Sequence, residues 1–204
     1  MDKCQFDLGG KTKHRLEEAL RSQSHLLQTH ANSWRLPKPE NYKGWMPGDP
    51  IDPLTWADDS SRYVQEIMKE NFVVGEDGRR VSVFQVNDPS FRKRFGNAVR
   101  HAIGIGDLVL HEGYNPHVAE AGMFLHEPQS WITGAAESAA KFSTKPWQHN
   151  TEDSKVDIAN NAFAAKEVVK YNDFDSFARE MLTAAWDAAK KGIGDAGVPL
   201  GTKK

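Results

Sequence analysis

Apolar residues in the C-terminal half of the chain recur every three to four positions, the period that lays them along one face of a helix. After Asp88-Pro89, an N-cap and first-turn pair, this pattern predicts helices over about residues 89–110, 115–126, 129–142, 152–171 and 174–191. Alanine is dense in them (AAESAA, ANNAFAAKE, LTAAWDAAKK), and such small residues let helices approach closely. The N-terminal part reads differently. Thr12 stands as N-cap to a helix over about 12–31, with Leu16, Leu20 and Leu27 on one face. From about 32 to 58, periodicity gives way to five prolines interleaved with Trp34, Trp45 and Trp56. Proline removes backbone donors, yet three tryptophans are too apolar for a free linker, so the expectation is an ordered loop lying over the domain. A short helix over about 59–70 follows. Two β-branched runs around Gly75-Glu76-Asp77-Gly78 then predict a hairpin within 72–86.

These elements give a mainly α fold: a helical bundle with one small β-hairpin and an irregular Trp/Pro-rich N-terminal segment. Residues 1–88 hold the N-terminal helix, the Trp/Pro-rich segment and the hairpin. Residues 89–191 form the helical domain, and 192–204 read as a flexible tail.

Composition narrows the classes. A chain of 204 residues is long enough for one full core. With 26 basic and 28 acidic residues the net charge is -2, which supplies no global field for nucleic acid or acidic lipid. The single cysteine, Cys4, excludes an intramolecular disulfide framework and a Cys-rich zinc site. No run approaches the ~20 apolar residues of a membrane span, and no signal-peptide core follows Met1. The expectation is cytoplasmic synthesis, with export by a machine needing no cleaved signal as the remaining route.

Candidate chemistry comes from polar residues set among these apolar ones. Asn97, Arg100 and His101, at i, i+3 and i+4, share a helix face. His126-Glu127 ends a helix before Pro128 and offers an imidazole beside a carboxylate. Asp153, Asp157, Asn160 and Asn161 form a stripe at spacings of four, three and one. Asp and Asn are poor helix-interior residues, so tertiary partners or function must retain them. Capping explains Asp153; it does not explain Asp157, Asn160 and Asn161. Charge pairing predicts that these pieces meet, as Arg100 with Asp157 and as His101 or His126 with Glu127 or Asp157. Converged, they suit hydrolysis, with His101, His126, Glu127 and Asp157 holding a divalent metal or activating water, and Arg100, Asn160 and Asn161 steadying an anion. A Ser154 or Cys4 nucleophile is less attractive, Ser154 being expected near a solvated helix start. The run Arg92, Lys93, Arg94 with Arg100 reads as a solvated helix face before it reads as a nucleic-acid groove.

The order N-A-V-R-H-A (97–102), H-E (126–127) and D-S-x-x-D-I-x-N-N (153–161) resembles an uncharacterised bacterial helical domain family found in secreted and toxin-like proteins. The likeness spans about residues 92–168, with Ala164-Ala165 where the family pattern expects a glycine. It implies a helical fold and an effector-like role, with a cognate immunity or secretion-system protein as partner. It supplies no reaction. The alternative is a binding or immunity-type module whose polar network serves packing alone.

Overall fold

The computed structural model describes residues 33–50, 52, 55–74, 79–124, 145–192 and 197–202. The described chain is mainly helical with one small antiparallel sheet. Its elements are α1 (Trp56–Glu70), β1 (Phe72–Val74), β2 (Arg80–Ser82), α2 (Pro89–Leu110), α3 (Pro116–Phe124), α4 (Lys145–Val168) and α5 (Phe174–Lys191). The expected helices over 12–31 and 129–142, and the hairpin turn at 75–78, lie outside the described residues.

Local chemistry sets the ends of the two best-predicted helices. The Asp88 carboxylate accepts from Phe91 N (2.9 Å) and Pro89 opens α2; Asp173 accepts from Ser176 N (2.8 Å) to cap α5. α2 stops before Gly113, whose φ of 73° suits a residue without a Cβ. The hairpin is shorter than predicted: Phe72 pairs with Ser82, Val73 with Val81 and Val74 with Arg80, after which Val83–Gln85 turn into a 3-10 segment.

α2 is the hub. It packs along α5, α4, α1 and α3, and Phe91, Phe95, Ile103 and Ile105 are fully buried on it. Glycine permits the closest approaches. A Cβ on Gly106 would lie 2.5 Å from the Phe177 ring, and one on Gly104 would lie 2.7 Å from Trp56.

The Trp/Pro-rich segment is part of this core. Trp34, Trp45 and Trp56 are all buried, which excludes them as an exposed partner surface. Trp34 stacks on Phe95 (5.8 Å between centroids), meets Trp186 at 6.0 Å and donates from Nε1 to Thr183 Oγ1 (3.0 Å). Asn71 clamps the neighbouring backbone, accepting from Arg35 N and donating to Arg35 O, each at 2.9 Å. Segments rich in proline cannot pair as regular structure, so aromatic burial and side-chain clamps hold this one in place.

Two expectations change. α4 begins at Lys145 rather than near 152, about two turns early, so Asp153 and Ser154 are interior helix residues and Asp153 does not cap. Residues 197–202, read as part of a flexible tail, are docked on α4. Leu200 is buried, its N–H donates to Asn160 Oδ1 (2.8 Å), and Lys191 Nζ donates to Thr202 O (2.8 Å).

Candidate functional site

α2 and α4 face each other in a constant register. Lys93 Nζ lies 3.7 Å from Asp153 Oδ2; Asn97 Nδ2 donates to Asp157 Oδ1 in a short hydrogen bond; His101 Nδ1 lies 3.0 Å from Asn161 Oδ1. Each pair is separated by sixty residues (153 − 93, 157 − 97, 161 − 101), so the two helices run parallel and meet once per turn on a polar ladder. Both helices carry polar residues every four positions because that spacing returns a side chain to the same face. The ladder runs inward, from the partly exposed Lys93–Asp153 rung to His101 and Asn161, which are buried.

The middle of the ladder is its most constrained part. His101 is 4% exposed and Asp157 7%. His101 Nδ1 is hydrogen-bonded to the Asn161 oxygen, while Nε2 stands 3.3 Å from Asp157 Oδ1 without an aligned hydrogen bond. Both ring nitrogens therefore face oxygen atoms of α4. Arg100 enters one step out: its Nη2 donates to Asn97 Oδ1 (2.9 Å). It bonds Asn97, not Asp157 as charge pairing predicted, because the Asn97 amide bridges the two by accepting on one end and donating on the other. Asn160, beside the ladder, holds the Leu200 backbone instead of joining it.

Several buried polar atoms here have no hydrogen-bond partner among the described residues: Arg100 Nε, Ser154 Oγ, Asn160 Nδ2 and Asn161 Nδ2. Ser154 is thus a buried residue within α4, not at a solvated helix start. A cavity of about 10 Å³ lies alongside, with Lys93, Asn97, Asp153, Asn160, Gly197 and Val198 in its lining. It is the size of one water molecule.

The predicted cluster is brought together in part. Arg100, His101, Asp157 and Asn161 converge and Asn160 adjoins them, while His126 and Glu127 lie outside the described residues. Among the described residues, no group of three or more His, Cys, Asp or Glu side chains gathers as a cation site. His101 and Asp157 by themselves do not make one, since both imidazole nitrogens are turned onto α4. The basic run also divides. Arg94, expected on a solvated face, is buried with Nε donating to Ala189 O (3.0 Å).

A second Asp-His pair lies at the other end of α2. Asp107 is fully buried and accepts from His111 Nδ1 (2.9 Å) and Gly48 N (2.6 Å). Burial raises its carboxyl pKa, opposed by those two hydrogen bonds. It ties the Trp/Pro-rich loop to the hub helix. The i, i+4 spacing of Asp107 and His111 was a readable signal for the pair; its bond to Gly48 had none.

No protein-family model matches this chain, and no curated protein or solved structure matches it. The ladder's own geometry carries the functional reading.

Proposed function

We propose that the chain is a hydrolase whose site is the ladder between α2 and α4, with Asp157 and His101 as its acid-base pair. The observation that carries this is the convergence of Arg100, His101, Asp157 and Asn161 where α2 meets α4. In this reading Asp157 takes a proton from water as the water oxygen bonds to the substrate's electrophilic centre, and returns that proton to the leaving group as the scissile bond breaks; His101 orients the carboxylate from 3.3 Å, and Arg100 with the amide donors steadies the developing anion. Metal assistance enters only through His126 and Glu127, and a rise in melting temperature with a divalent cation that Glu127→Gln abolishes is its test. The deployment we propose, as an exported antibacterial or host-directed effector with an immunity or secretion-system partner, rests on the ordered R-H-A, H-E and D-S-x-x-D-I-x-N-N motifs.

The deciding experiment is expression in the bacterial cytoplasm and, separately, in the periplasm, each beside Asp157→Asn. The expected result is toxicity in one compartment that the variant abolishes while remaining folded. Equal toxicity of wild type and variant rejects the site.

One observation favours a second reading, a binding or immunity-type module: both His101 nitrogens and Asp157 Oδ1 are engaged by neighbouring helices. Buried polar groups of this kind can fix helix register without chemistry. That reading expects Asp157→Asn to leave every biological readout intact.

A further inference from the structure

We propose that the chain carries a separate site for a nucleoside phosphate, independent of the ladder and of the hydrolase reading. An open groove of about 740 Å³ runs between the segment at 33–41, the end of α1, the start of β1 and the middle of α5. Its volume falls within the ~300–1,000 Å³ of small-ligand pockets and exceeds what a bare phosphate needs. No ladder residue lines it.

Charge and aromatic surface select the ligand class. Arg35, Lys38, Lys69 and Arg179 line the groove against one carboxylate, Glu70, in a chain whose net charge is -2. Two of these cations sit in replaceable pairs: Glu40 is 3.9 Å from Lys38 and Glu66 is 2.6 Å from Lys69, and both pairs are solvent-exposed, where an ion pair holds little energy. A ligand with two or more negative charges competes with them. Arg179 is part of the groove's frame, its Nη1 donating to Trp34 O. Phe72, 42% exposed, brings an aromatic surface to the same groove. The Arg80 guanidinium lies over this ring, 4.6 Å from its centroid, so a base stacks on the part of the ring that stays exposed. A cationic wall next to an exposed ring is the surface that stacks a base and grips its phosphates.

Isothermal titration calorimetry of the full chain with ADP, adenosine and inorganic pyrophosphate tests this. The expected result is that ADP binds about tenfold or more tighter than either fragment. Lys69→Glu weakens ADP and pyrophosphate by about tenfold, whereas Phe72→Ala weakens ADP and leaves pyrophosphate unchanged. Both side chains are exposed, and unchanged melting curves verify the folded state, with Arg35→Glu as the replacement should Lys69→Glu fail to fold. No heat with about 1 mM ADP, equal affinity for ADP and pyrophosphate with Phe72→Ala silent, or binding of an oligonucleotide without ADP would overturn the proposal.

Discussion

His101 is held by an amide on one nitrogen and faces a carboxylate with the other, so its removal and the removal of the Asp157 charge have different consequences. His101→Ala takes the cation-capable partner from a carboxylate that is 7% exposed. The expected loss is about 3–5 kcal/mol in urea unfolding, the cost of breaking a buried pair from one side. Asp157→Asn retains an oxygen for Asn97 and loses the charge. It is expected to cost less than about 1.5 kcal/mol while abolishing activity, and the double variant to show coupling of about 0.5–3 kcal/mol. Asp107 makes a pH-dependent contribution of opposite sense to an ordinary ion-paired carboxylate. Burial raises its pKa above the ordinary 3.8, so the folded chain holds that proton more tightly than the unfolded chain. Its contribution is full below about pH 3.8 and declines as pH rises through the folded value. Asp107→Asn is expected to remove that decline, read as a flatter dependence of the urea midpoint on pH.

The elements owe their positions to caps and to close packing. Asp173 has its pKa lowered by the Ser176 backbone N–H, and then by the Ser176 hydroxyl. Its stabilisation of α5 is present above the unfolded value of about 3.8 and is lost as pH falls through the lower folded value. Asp173→Ala is expected to destabilise at neutral pH and to shrink this acid-side loss, followed by circular dichroism across an acid titration. Gly106 belongs to packing rather than to a turn. An added methyl would meet Phe177 at 2.5 Å, so Gly106→Ala is expected to cost about 1–3 kcal/mol by overpacking despite alanine's better helix propensity. The helices over 89–110 and 174–191 were legible from their apolar periodicity, and Asp88-Pro89 marked the start of the first locally. The start of α4 was not. Asp153 looks like a cap by residue type, and only its contact with Lys93 on a facing helix reveals it as an interior rung.

At the scale of the whole molecule, the core passes through a segment with almost no regular structure. Trp34 is 1% exposed and touches Phe95 and Trp186 from α2 and α5. Trp34→Ala is therefore expected to cost about 3–5 kcal/mol, as much as a central helix residue, and thermal melts will register it as a fall in Tm. Periodicity, caps and composition were enough to specify a mainly helical chain with a small hairpin, because those signals act within one or two turns of backbone. They also singled out Asp157, Asn160 and Asn161 as residues a helix would not hold without cause. Tertiary structure alone decided which partner each took. The sixty-residue register of α2 and α4 sends Asn97 to Asp157 and His101 to Asn161, leaves Arg100 one bond further out, and turns Asn160 to Leu200. It likewise decided that Arg94 and Ser154 are buried and that residues 197–202 are docked. Such pairings depend on how rigid helices fit against one another across long loops, and no local property of the sequence encodes that fit.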